Sequence, residues 1–156
     1  MRVWDVKHLR SQLVVVSQKP NLFFLSVRDN TAFGFPCIFY GTAVTDGKVK
    51  AVVRLLAAQE YIGDLRDSYD KHVEKRGTRL SGDQRQRMCL ACTLIRSSLC
   101  LLLEETMSAL NSVAERVVEA ALNAAVTART HAMIINAHRL STVRATVVIS
   151  VVDEGL

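Results

Sequence analysis

The chain has only two prolines, seven glycines and an aromatic share of 6%, too little for a fibrous repeat, a Pro-rich linker or a low-complexity segment. No apolar run reaches the roughly 18 residues that a membrane span needs, so no direct span is expected. The opening Met1-Arg2-Val3-Trp4-Asp5 has no apolar signal core, and no transit peptide rich in Ser and Arg follows, so a cytoplasmic setting is the expectation. Among the four cysteines there is one close pair, Cys89 and Cys92, without a second pair or two His at ligand spacing. That excludes a structural zinc site and leaves buried reduced thiols as the reading of the pair.

What is present is the material of one domain: 156 residues, 49% hydrophobic and 22% charged, with a net charge of +5. Fourteen of the 20 basic residues are Arg, which raises nucleic-acid binding as a function class. The densest basic stretch, Lys71 to Arg87, sets Lys71, Lys75, Arg76, Arg79, Arg85 and Arg87 against Glu74, Asp83 and the adjoining Asp70. It contains no aromatic residue to stack on a base, so no nucleic-acid partner is expected.

Leu13 to Val16 is a β-branched run closed by Ser17-Gln18-Lys19-Pro20, which reads as a buried strand with Gln18 opening a loop. Val49, Val52, Val53, Leu56 and Ala57 recur on one helical face, after an irregular connection from Gly34 to Gly47. Asp70 to Arg79 reads as a surface loop or short hairpin. Ser81 with Gln84 is a capping box that starts a helix of about 15 residues, followed by an apolar strand at Leu99 to Leu103. Ser112 with Glu115 is a second capping box, ahead of the stripe Ala114, Val117, Val118, Ala121, Leu122 and Ala125. Ala132 to Ala137 and Thr146 to Val152 read as the last strands. Alternating helices and near-continuous apolar strands predict an α/β domain with a mainly parallel sheet.

Four local features then stand in a fixed order: Gln18 past a strand end, Leu80-Ser81-Gly82-Asp83-Gln84 at a helix start, Leu101-Leu102-Leu103-Glu104-Glu105 at a strand end, and Ala137-His138-Arg139 past another. With Ser108-Ala109-Leu110-Asn111 after the acids, they resemble the nucleotide-binding domain of ABC transporters, in the P-glycoprotein-like multidrug exporter branch. The likeness runs from Leu9 to Val143, nearly the whole chain. It implies a partial P-loop NTPase fold over residues 1–156, with a helical subdomain that carries the signature motif.

The resemblance also assigns roles. Gln18 matches the Q-loop glutamine, which contacts magnesium and the attacking water; an amide carbonyl does this without adding charge. Ser81, Gly82 and Gln84 match the signature motif, where a helix start holds a γ-phosphate presented by a partner domain. Glu104 and Glu105 match the Walker B pair, the first supporting magnesium and the second polarising water; two acids at a strand end also fit a solvated turn. His138 matches the switch histidine, whose ring N–H donates to the γ-phosphate. Glu105 and His138 are thus the catalytic candidates, and ATP with Mg2+ the implied cofactor. The implied partners are a second nucleotide-binding domain and a transmembrane domain, which would hold the chain at the cytoplasmic face of a membrane.

Three substitutions depart from the family pattern: Asp83 for Gly, Glu104 for Asp and Asn111 for Asp. Asp83 should compete with phosphate for the helix start, because the same dipole attracts both. No Gly-x-x-x-x-Gly-Lys followed by Ser or Thr occurs in the 156 residues, so the phosphate-cradling P-loop and its strand are expected to be lacking. Unpaired strand edges and exposed apolar surface should follow. The readings are an ABC ATPase segment with negligible turnover by itself, a non-catalytic module that pairs with an intact nucleotide-binding domain, and a fragment of a longer transporter.

Overall fold

The computed structural model describes residues 5–33, 44–63, 67–74, 77, 80–96, 98–105, 107, 110–127, 132–136 and 148. Asp5 caps α1 (Val6–Gln12) by accepting from the Lys7 amide, and β1 (Leu13–Val16) follows without a break. Next come α2 (Val27–Phe33), α3 (Asp46–Leu55), α4 (Gln59–Gly63) and a 3-10 turn at Ser68–Asp70. The chain continues through α5 (Gly82–Leu94), β2 (Cys100–Glu104), α6 (Ser112–Thr127) and β3 (Ala132–Asn136).

The three strands form one parallel sheet in the order β1-β2-β3. Parallel neighbours cannot be joined by a tight turn, so each step needs a long crossover. Helices α2 to α5 occupy the first crossover and α6 the second. The register pairs Leu13 with Cys100 and Val16 with Leu103, then Cys100 with Ala132 and Glu104 with Asn136. Alternation along each strand therefore gives the sheet two unlike faces. Val16, Leu101 and Leu103 lie in the core, with Val14, Met133 and Ile135 packed against it. On the opposite face Val15 is 61% exposed and Ile134 60% exposed, so that face is open among the described residues.

Helix α5 is the centre of the helical layer, with Gln86, Arg87, Met88, Leu90, Ala91 and Thr93 all buried. Its buried positions run around the helix, which is why it shows no single apolar stripe. Helix α3 buries Val49 and Val53 and ends at the buried cap Leu56. Ala57, which the helical pattern includes, lies outside the helix in the left-handed region at φ 49°.

Other expectations shift in detail. Helix α5 has 13 residues rather than about 15. The cap of α6 is Asn111, not Ser112: its Oδ1 accepts from the amides of Val113 at 3.1 Å and Ala114 at 2.9 Å. Asn and Ser are comparable caps, and taking Asn111 places Ser112 in the first turn. The stretch after Asp70 is also less superficial than its charge suggests. Val73 is buried, His72 bridges to Ser26, and Gly77 is buried at φ 70° against Leu22 and Arg85. Asp46 and Gly47 already belong to α3, whereas the rest of the expected connection back to Gly34 is described only at Val44 and Thr45. The expected strand Thr146 to Val152 lies outside the described residues except Val148.

Candidate functional site

Parallel pairing brings the carboxyl ends of β1 and β2 side by side, because Val16 is in register with Leu103. Gln18, two residues past β1, then meets Glu105, the residue after β2. Its Nε2 donates to Glu105 Oε2 at 2.5 Å, across 87 positions of chain. A bond from a neutral amide to a carboxylate is charge-assisted. It uses one of the two amide N–H groups and leaves Gln18 Oε1 as an acceptor.

Glu105 adopts φ 48°, a backbone state that costs a non-glycine residue on the order of 1 kcal/mol or more. Its amide donates to the carbonyl of Asn136, the last residue of β3, at 3.1 Å. Glu104 ends β2, exposed and in register with Asn136. The sheet end thus carries two carboxylates and an amide oxygen. No group of three or more His, Cys, Asp and Glu able to hold a metal occurs among the described residues. Hard oxygens in this small number suit a cation such as Mg2+ that keeps water and takes phosphate oxygens as its remaining ligands.

The second cluster lies at the start of α5. Ser81 Oγ accepts from the Gln84 amide at 3.1 Å while Gln84 Oε1 accepts from the Ser81 amide at 3.0 Å, the expected capping box. Asp83 does not lean toward the helix end. Its Oδ2 accepts from Arg87 Nη2 at 2.6 Å, one turn further on. Asp83, expected to compete with phosphate for the helix start, is thus paired with a cation. Arg87 also donates through Nη1 to the Ala57 carbonyl at 2.8 Å, and its guanidinium lies 5.2 Å from the centre of the Tyr61 ring. Tyr61 in turn donates its hydroxyl to the Gln84 carbonyl at 3.0 Å. Burial raises the pKa of this phenol, so it stays a donor well above neutral pH.

The structure therefore joins Gln18 to Glu105 and Ser81 to Gln84, with Gly82 opening the helix between the latter two. His138 lies outside the described residues, two positions past the end of β3. The sequence reading missed Arg87 and Tyr61. The four-residue spacing of Asp83 and Arg87 signals the ion pair on a helix, whereas nothing local points to Tyr61 or Ala57.

Cys89 and Cys92 are free thiols, as expected, but half-buried rather than fully buried, packed against the core. Burial pushes the Cys89 thiol up to about 11 and the Cys92 thiol higher still. At pH 8 in the native protein, alkylation at Cys89 and Cys92 should run at least about tenfold slower than in urea, since so little thiolate forms. Mass spectrometry of iodoacetamide-treated protein checks this, and equal rates would contradict it.

A family model described as ABC transporter matches residues 1–108. Over 155 residues the chain is 37% identical to "ABC transporter B family member 1" of Arabidopsis thaliana, covering 99% of this chain and 11% of that protein. It is 40% identical to "Multidrug resistance protein pgp-1" of Caenorhabditis elegans, again over 99% of this chain and 11% of the relative. A solved bacterial Atm1-family ABC exporter with ATP bound superposes with a TM-score of 0.79 at 31% identity, over 90% of this chain and 23% of that one. The chain thus spans about a tenth of the length of these curated relatives.

Proposed function

We propose, from the premise that the chain belongs to the ABC transporter family, that residues 1–156 are part of an ATP-binding domain that couples nucleotide to export. The observation that carries this reading is the Gln18–Glu105 hydrogen bond at 2.5 Å, which unites two motifs far apart in the chain at one sheet end. In this reading Gln18 and Glu104 would supply oxygens to Mg2+, Glu105 would accept a proton from water, and His138 would donate to the terminal phosphate. Ser81, Gly82 and Gln84 offer the start of α5 to a nucleotide held by a second nucleotide-binding domain. Mg2+ would supply charge neutralisation at the phosphates. What the chain itself contributes is the orientation of Glu105, fixed by Gln18 on its side chain and Asn136 on its backbone.

No helix among the described residues is long and apolar enough to cross a membrane. In this reading the chain works at the cytoplasmic face of a membrane, with a transmembrane domain of the exporter. Because no Gly-x-x-x-x-Gly-Lys with Ser or Thr occurs in residues 1–156, this chain alone is expected to hydrolyse ATP negligibly. The same observation favours a second reading, a non-catalytic module that pairs with an intact nucleotide-binding domain.

The test is ATP hydrolysis by the purified chain alone and mixed with an intact exporter nucleotide-binding domain. The expected result is no turnover alone and a changed rate on mixing. Turnover by the chain alone that disappears in Glu105→Gln would overturn the inactive reading. An unchanged rate on mixing, with both proteins folded, would remove the pairing.

A further inference from the structure

We propose that Arg87 is a positioning residue for the start of α5, holding the Asp83 carboxylate on the helix flank so that the first turn stays open to a phosphate. This rests on the reading that Ser81, Gly82 and Gln84 face a nucleotide carried by a partner domain. Asp83 sits in the first turn of α5, where a free carboxylate is drawn to the same unpaired amides that attract phosphate. Its charge would then occupy the place that the ligand needs.

The surroundings of Arg87 prevent this. Its guanidinium is fixed from three sides, by Asp83 Oδ2 at 2.6 Å, the Ala57 carbonyl at 2.8 Å and the Tyr61 ring at 5.2 Å. Both side chains of the pair are largely buried, 11% exposed for Arg87 and 16% for Asp83, so salt screens their attraction weakly. Tyr61 binds the Gln84 carbonyl, so the residue that supports the guanidinium also holds the first turn. Stability alone is a poor explanation for the pair. Asp83 Oδ1 and Arg87 Nε are buried without hydrogen-bond partners among the described residues, and an incompletely satisfied buried ion pair gains little or nothing over apolar packing.

The proposal predicts a charge cycle with opposite signs. The readout is ATP-dependent association of the full chain with an intact exporter nucleotide-binding domain, made hydrolysis-deficient and loaded with Mg-ATP, followed by sedimentation. Arg87→Met leaves a net negative charge beside the phosphate and should weaken association by about tenfold, less at high salt. Asp83→Gly leaves a net positive charge and should tighten it. The double variant should return to within about threefold of the parent, since neither charge remains. Should Arg87→Met not fold by circular dichroism, Arg87→Ala takes its place, removing the same charge and its hydrogen bond to Asp83.

A double variant as weak as Arg87→Met would overturn the proposal, because Arg87 would then act independently of Asp83. So would an Arg87 variant that binds like the parent. Association by Asp83→Gly where the parent shows none would overturn it too, while sparing the reading of the α5 start. Silence from every folded variant would remove both.

Discussion

Leu101→Ala is expected to cost about 2–5 kcal/mol of stability, the range for emptying a buried leucine site. Leu102→Ala should cost less than half as much. Leu101 is wholly buried and Leu102 half-buried, although both are central residues of one five-residue strand. The difference is one of facing. Leu101, in register with Val14 and Met133, faces the helical layer, while Leu102 stands between Val15 and Ile134 on the open face. In a chain of this size the Leu101 variant should melt roughly 5–15 °C lower. Val15→Thr, at a site 61% exposed, should stay within about 0.5 kcal/mol of the parent. Thermal unfolding of the three variants by circular dichroism measures all of this. Equal losses at Leu101 and Leu102 would mean that the second face is packed in solution as well.

The same strand shows where sequence reasoning stops. Leu101-Leu102-Leu103 announces a buried strand and a parallel sheet, because strands covered on both faces lose the alternation that marks a half-buried one. An unbroken apolar run cannot say which of its faces is covered, since it reads alike from either side. The capping box of Ser81 and Gln84 was legible because cap chemistry is local, and so was the strand end that carries Glu104 and Glu105. The start of α6 was legible only to within a residue, for Asn111 and Ser112 are both good caps.

The site divides along the same line. Motif order placed Gln18 and Glu105 in one functional group, but their hydrogen bond depends on register between strands 87 residues apart in its partners. Asp83 is instructive. Weighed against the helix dipole alone it looks hostile to phosphate, yet its partner Arg87 lies one turn away. What fixes that partner comes from Ala57 and Tyr61, on a turn and a helix distant in sequence. Local electrostatics had the right sign and lacked the opposing charge's geometry.

Gln86→Met should raise stability by about 1–3 kcal/mol, against the usual direction for a buried substitution. Gln86 is 0% exposed, and among the described residues neither its Oε1 nor its Nε2 has a hydrogen-bond partner. Burying an amide without bonds forfeits its hydration for nothing in return. Methionine keeps an unbranched chain of similar length, adapts to irregular space and removes both polar atoms. The contrast is Gln86→Glu, which puts a carboxylate in the same place. Burial raises such a group's folded pKa above its unfolded value. The protonated form is then the one the fold tolerates, so the Glu variant should be least impaired below about pH 4 and lose stability as pH rises through the folded pKa. The Met variant should keep its gain across that range. Urea unfolding of both variants at acid and neutral pH separates them. A destabilised Met variant would show that the Gln86 amide is bonded in solution, and that α5 is anchored there by a polar contact rather than strained by one.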